Sequence, residues 1–393
     1  MATRSTCLVT IHGIGFQEPP REGVPGYADG LHARLAEQLA ELSDDPLRKP
    51  WQTGSSVPIY VHSRFPEPGG TREQGLARLG HWNDKSRSSI DITDVPIVTA
   101  DSAVAHVALV YSELEDLGAQ PEATVETFFK GFAEHGHYNS LLGTLRTVLV
   151  DAVTALTTHP HAAVQPSFGG LKPRTDVSRP HVLNHVSGLW RRHEDAEQPP
   201  GFLGTMRQIE DDICSYVARN DVRERIRSFV GEALLRLAAR DDVEALVLNT
   251  HSNGTVMGFD SLRVMPAGAA AKVQTFITAG CPLRKYAELF TWGREVGNIR
   301  DLQRWDNYFD PRDPVADPLA HPVGWKDGEP FDLAHLQPFV SWPPNHAEGT
   351  PFPISDHQVD NVLHSSGGGL QAHNYWANTT EFIPALAAAL RAP

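Results

Sequence analysis

No uninterrupted apolar run in this sequence is long enough to cross a bilayer, which in helical form takes about 20 residues. A transmembrane segment is not expected. Cysteine is scarce: Cys7, Cys214 and Cys281 are the only three, and an odd number cannot all pair. They are read as reduced, mostly buried small side chains rather than a disulfide framework. Positive charge is short as well, with 34 Lys and Arg against 48 Asp and Glu, a formal net charge of −14 and no basic cluster. Nucleic acid is therefore not an expected partner, because phosphate neutralisation needs clustered Lys and Arg. Met1 to Thr6 carry no secretory apolar segment, so a cytoplasmic location is expected. H-E-x-x-H and paired-cysteine motifs are missing too. His159, His161, His181, His185 and His193 are potential ligands by residue type alone. Irregular surroundings that include Pro180 argue against a ligand helix, and neither a metal nor a cofactor is expected.

What is present suits a soluble globular enzyme: 393 residues, 40% hydrophobic and 21% charged. That length holds one large domain with insertions, or two ordinary ones. The most informative stretch is Glu244 to Gly254, EALVLNTHSNG. Ala245 to Leu248 form the near-continuous apolar run of a strand buried on both faces of a parallel sheet, and small or polar residues follow at once. A strand, a sharp turn and a helix over Gly254 to Leu262 are predicted, with Ser252 at the tip of the turn. In the G-x-S-x-G elbow the serine Oγ is exposed and the next backbone N–H helps to form an oxyanion hole. Thr250 stands where the first Gly is usual, a bulkier choice where strand and helix pack closely; Gly254 keeps the second position. The alternative is that Ser252 merely caps the following helix.

Three further segments carry chemistry. Cys7 to Ile11 is strand-like and ends in His12-Gly13-Ile14-Gly15, a glycine-rich turn that can bring a backbone N–H close to a substrate oxygen. A phosphate turn or a plain βα connection remains open. A dinucleotide fingerprint is disfavoured by Glu18 and by Pro19-Pro20. Trp305 to Val315 runs from an aromatic strand into a Pro-punctuated acidic loop, where Asp310 and Asp313 are both candidates for orienting a histidine. The Asp-Pro-Val context favours Asp313, and Asp310 is the alternative acid. Near the C-terminus, Ile354 to Val362 is predicted to be the last strand. Gly367 to Gly369 and then His373 follow, a loop position suited to a general base. His357 and His364 compete with it.

Between these landmarks a βα alternation appears. Helices are predicted over Tyr27 to Leu42 and Asp221 to Arg240, the second capped by Asn220 or Asp221. Strands are predicted over Val57 to Ser63, Val104 to Tyr111 and Lys272 to Ala279, with Val104 to Tyr111 as a central strand beside the first. The stretch from about Glu113 to Asn220 is far longer than a βαβ crossover needs. We expect residues 1–112 and 205–393 to be two parts of one core, and residues 113–204 to be a helical and irregular cap or lid insertion.

Together the segments resemble the α/β-hydrolase family of serine hydrolases, especially compact esterases and lipases; the resemblance covers the sheet-forming stretches. It implies a mostly parallel central sheet flanked by helices, Ser252 as nucleophile, His373 as general base and Asp313 as orienting acid. The order Ser, Asp, His along the chain is the family's. It also implies an oxyanion hole from the backbone N–H groups of Ile14 and Asn253. His12, Gly13, Gly15, His251, Phe339 and Trp342 are candidates for the substrate pocket. The expected activity is cleavage of a small-molecule or lipid-like carboxylic ester through an acyl-enzyme. An acyltransferase or thioesterase with the same triad, and a non-catalytic binding protein, are the other readings.

Overall fold

The computed structural model describes residues 6–13, 25–41, 58–62, 80–83, 88–90, 104–111, 172–173, 220–284, 290–291, 299, 302–313, 315–321, 340–341, 350–351, 354–365 and 371–391. Nine strands form one sheet. They are β1 (Thr6–Ile11), β2 (Ile59–His62), β3 (Gly80–Asn83), β4 (Ser88–Ile90), β5 (Val104–Val110), β6 (Ala245–His251), β7 (Val273–Ala279), β8 (Arg304–Phe309) and β9 (Ile354–Gln358). Their order is β9-β8-β7-β6-β1-β5-β2-β3-β4. All pairings from β9 to β2 are parallel, and β3 and β4 extend the edge antiparallel. The expected α/β architecture with a parallel sheet is thus present, and residues from both expected core parts share the one sheet. Of the expected cap, only Lys172–Pro173 belongs to the described residues, and it pairs with Phe290–Thr291. The five histidines weighed as metal ligands also lie outside them.

Among the described residues, four helices of nine or more residues pack on the sheet: α1 (Asp29–Glu41), α2 (Asn220–Ala239), α3 (Gly254–Leu262) and α4 (Phe382–Arg391). Side chains alternate across a strand, and the central strands divide their apolar residues accordingly. Cys7, Val9, Ile11, Leu246 and Leu248 pack with Ile226, Phe229 and Val230 of α2 and Val256 and Phe259 of α3. Leu8 and Val247 face the other way, toward Leu31 and Leu35 of α1 and Ile383 and Leu386 of α4. Burial on both faces explains why β1 and β6 are apolar almost throughout. Asp260 of α3 is buried between Arg263 and Arg223 of α2, tying the two helices together.

The α1 face also carries polar residues. Asn249 of β6 donates to Thr10 Oγ1 of β1 (3.3 Å), which bonds His106 of β5 (2.8 Å), whose other ring nitrogen meets His32 of α1 (3.2 Å). Burial pushes the His32 imidazole down to about 4, and burial followed by His32 lowers His106, so both are neutral at pH 7.

Most predicted elements differ from the observed ones by a residue or two at their ends. One boundary needs a larger correction. The last strand stops at Gln358 rather than Val362, because the Asp360 carboxylate accepts the Leu363 N–H and caps a helical turn over Asn361–His364. Among the described residues, no helix is long and apolar enough to cross a membrane.

Candidate functional site

The chain leaves β1 toward β2 and β5 on one side, then crosses to β6 on the other. The carboxyl ends of β1 and β6 therefore flank a topological switch point, where open α/β sheets bind ligands. The register pairs Ile11 with Thr250, so Gly13 arrives beside Ser252. A methyl group on Gly13 would collide with Ser252 Cβ and come within 2.9 Å of its Oγ. The turn at Gly13 approaches the serine this closely only because it has no side chain. Tyr111 fixes that turn, donating to the carbonyls of His12 (2.7 Å) and Gly13 (2.6 Å), while its ring stacks on the His12 imidazole.

Ser252 is the only non-glycine with positive φ among the described residues, at 54°. Such a conformation costs about 1–3 kcal/mol and persists only where the surroundings impose it. Here they do: the Ser252 N–H donates to Ala279 O of β7 (2.9 Å), and its carbonyl accepts the Thr255 N–H (3.0 Å) and hydroxyl (2.7 Å). The side chain is left out of this network. Ser252 Oγ is buried and has no hydrogen-bond partner, so it does not cap α3. Asn253 holds the N-cap position instead, its carbonyl accepting the Val256 N–H (3.0 Å), and the positive end of α3 lies next to Ser252. Thr250 fits without the usual glycine. Its hydroxyl donates to Ile277 O (2.8 Å), and its methyl lies against Gly258, where an added Cβ would come within 2.9 Å of it. The missing side chain has moved from the strand to the helix that crosses it.

His373 ends a short 3-10 turn, Gln371–His373, and is buried. Its Nδ1 lies 2.8 Å from Asp313 Oδ2. A carboxylate only accepts, so Nδ1 carries the proton and Nε2 of the neutral ring presents a lone pair. Nε2 is buried and has no hydrogen-bond partner. The imidazole lies on Gly280, which has φ of 64° and where a Cβ would come within 2.6 Å of His373 Cε1. Gly280 directly follows the residue that accepts the Ser252 N–H, so serine and histidine converge on one turn. No hydrogen bond joins Ser252 Oγ to His373 Nε2; catalytic hydrogen bonds are often long before substrate binds.

Asp313 is fully buried and accepts three hydrogen bonds: from His373, from the Tyr375 hydroxyl (2.9 Å) and from the Val315 N–H (2.9 Å). Burial raises its pKa, but His373, Val315 and Tyr375 together outweigh that and hold the carboxyl below the usual range. Asp310 is occupied elsewhere. It binds the Arg312 side chain (3.1 Å), the Arg312 N–H (2.8 Å) and the Asn361 N–H (2.8 Å), bracing the loop against the turn after β9. Asp356 of β9 accepts the N–H groups of Leu319, Ala320 and His321, each at 2.8 Å, and holds the far end of the same loop.

The competing histidines are elsewhere. His357 bonds Asp306 (3.1 Å) and stacks on Tyr308, and His364 lies in the helical turn after β9. His251 donates from Nε2 to the His373 carbonyl (2.9 Å), and burial, then the nearby His373, pushes its pKa down to about 3. His12 packs against Tyr27 and Tyr111. Ile14, Gly15, Phe339 and Trp342 lie outside the described residues. Tyr375, Gly258 and Gly280 were not singled out from the sequence. The pairing of Tyr375 with Asp313 spans 62 positions and leaves no local pattern, whereas Gly280 directly follows the predicted strand Lys272 to Ala279.

No family model, curated protein or solved structure matches the chain. Among the described residues, no group of three His, Cys, Asp or Glu side chains is arranged to hold a metal ion.

Proposed function

We propose that this protein is a serine hydrolase of the α/β-hydrolase type that cleaves carboxylic esters. The observation that carries the reading is Ser252 at φ 54° with its Oγ uncommitted, while a histidine whose Nδ1 is held by a buried carboxylate packs on Gly280, the residue after the one that accepts the Ser252 N–H. His373 takes the Ser252 proton through Nε2 as Oγ attacks the ester carbonyl, and the imidazolium so formed is stabilised by Asp313. The leaving alcohol departs with that proton. Water, deprotonated by His373, then frees the acyl group. The backbone N–H groups of Asn253, next to the nucleophile, and of Ile14 are the oxyanion donors in this reading; one such donor is worth about 3 kcal/mol.

The test is labelling with a fluorophosphonate probe, mapped by mass spectrometry. Modification at Ser252 in the native protein, abolished by Ser252→Ala without loss of fold, is the expected result. An unlabelled native serine overturns the proposal.

A further inference from the structure

A cavity of about 160 Å³ opens between α1 and the 373–377 segment. His373 and His251 contribute to its wall and Ser252 does not. If the proposed function is right, this position assigns the cavity to one half of the substrate. In acyl transfer the histidine returns its proton to the leaving group, so the group that lies against His373 and away from the serine is the alcohol.

The walls describe that alcohol. Tyr27 and Trp376 stack with ring centroids 5.8 Å apart, and His251 tilts against Trp376 at 4.9 Å. A cavity of about 150 Å³ with apolar walls is known to take up one benzene molecule, so this one has the size and lining for a single aromatic ring. Arg34 of α1 also lines it, held in place by donation from Nη1 to the Trp376 carbonyl (3.1 Å). None of the described residues around the cavity is acidic. In a chain of net charge −14, a guanidinium in a wall with no acidic residue among its described lining favours an anion.

We infer that this cavity is the leaving-group subsite and that the alcohol it takes is a phenol bearing a carboxylate directed at Arg34. The inference rests on the hydrolase reading above. In the reaction, the bond from Ser252 Oγ to the acyl carbon forms and the bond from that carbon to the aryl oxygen breaks. The aryl oxygen receives, by way of His373, the proton that left Ser252, and water releases the acid in the second step.

Two measurements test it. In calorimetric titrations of the Ser252→Ala protein, 4-hydroxybenzoate is expected to bind at least about 10-fold more tightly than 4-hydroxybenzamide, the weight of one charge-assisted hydrogen bond. Arg34→Gln should collapse that ratio toward one and Arg34→Lys should retain most of it, with thermal melting confirming that each variant is folded. In the active protein, kcat/KM for 4-acetoxybenzoate over 4-acetoxybenzamide, each divided by its rate with hydroxide, should show the same preference and the same dependence on Arg34. If Ser252 is labelled by fluorophosphonate but acid and amide bind alike, or neither binds, the subsite is refuted and the hydrolase reading stands. If 4-hydroxybenzoate binds through Arg34 but Ser252 is never labelled, the cavity is an anion-binding site and its leaving-group role falls together with the hydrolase reading.

Discussion

Replacing Tyr375 by Phe removes a single oxygen that two parts of the acidic loop share. The hydroxyl donates to Asp313 Oδ2 at 2.9 Å and accepts the Asp310 N–H at 2.8 Å, and the residue is wholly buried. Losing a hydrogen bond to an ionised group costs about 1.5–3 kcal/mol, and stranding a buried N–H costs about 1–3 kcal/mol. The sum, roughly 4 kcal/mol, is a large share of the 5–15 kcal/mol that keeps a domain folded. A lowered melting temperature is therefore expected, but a purely structural role would predict that as well. The discriminating quantity is the pH dependence of turnover. Asp313 without one of its three donors is a stronger base and holds the protonated His373 more tightly. The acidic limb of kcat/KM should therefore move to higher pH. The direction follows because the proposed reaction uses the imidazole as a base, so whatever favours the imidazolium delays activity to higher pH. The assay is hydrolysis of 4-nitrophenyl acetate from pH 5 to 9, at a temperature where the variant is folded. An acidic limb that stays in place, or moves down, refutes the coupling of Tyr375 to the histidine through Asp313.

Exchanging the two aspartates in turn separates their roles. Asp313→Asn should lower kcat by about 10³ to 10⁴, as expected for a triad acid whose loss leaves the histidine in the wrong tautomer. Asp310→Asn should mainly cost stability, about 1–2 kcal/mol, from its weakened hydrogen bonds to the Arg312 and Asn361 N–H groups, the solvent-screened Arg312 side chain adding little; steady-state kinetics and urea unfolding of both variants check this. Acid should weaken the fold well above the carboxylate range. The folded values of His32 and His251, about 4 and about 3, lie below the ordinary 6.5, and His106 is lowered as well. The unfolded chain therefore binds protons first as pH falls, so this stability is complete above 6.5 and is lost below it. Each such histidine contributes a slope of up to about 1.4 kcal/mol per pH unit, and urea midpoints at pH 7, 6 and 5 that do not fall would contradict the neutral assignments.

The central layer was legible because its signals are local. The run from Ala245 to Leu248 is apolar since both faces of β6 are covered, and Leu31 and Leu35 repeat at helical spacing since α1 has only one covered face. The candidate residues were legible where they stand in loops beyond strands, as Ser252, Asp313 and His373 do. Its departures from pattern were not, because they are settled by partners distant in sequence. Thr250 looked too large until Gly258 was seen beneath its methyl group, and the choice between Asp310 and Asp313 rests on which carboxylate meets His373 and Tyr375 across the loop. The end of β9 was overrun because Val359 and Val362 look like strand residues, whereas the Asp360 carboxylate turns the backbone between them.

The line of polar groups from Asn249 through Thr10 and His106 to His32 crosses three adjacent strands. In a sheet, a slip of one residue sends every side chain to the opposite face. Apolar residues tolerate such an error in β1, β5 and β6, since both faces are greasy. An amide, a hydroxyl and two imidazoles do not, because each would be stranded among hydrocarbon. These four residues therefore act as an alignment key: they make mispaired sheets expensive, and so secure the one alignment that brings Gly13 level with Ser252.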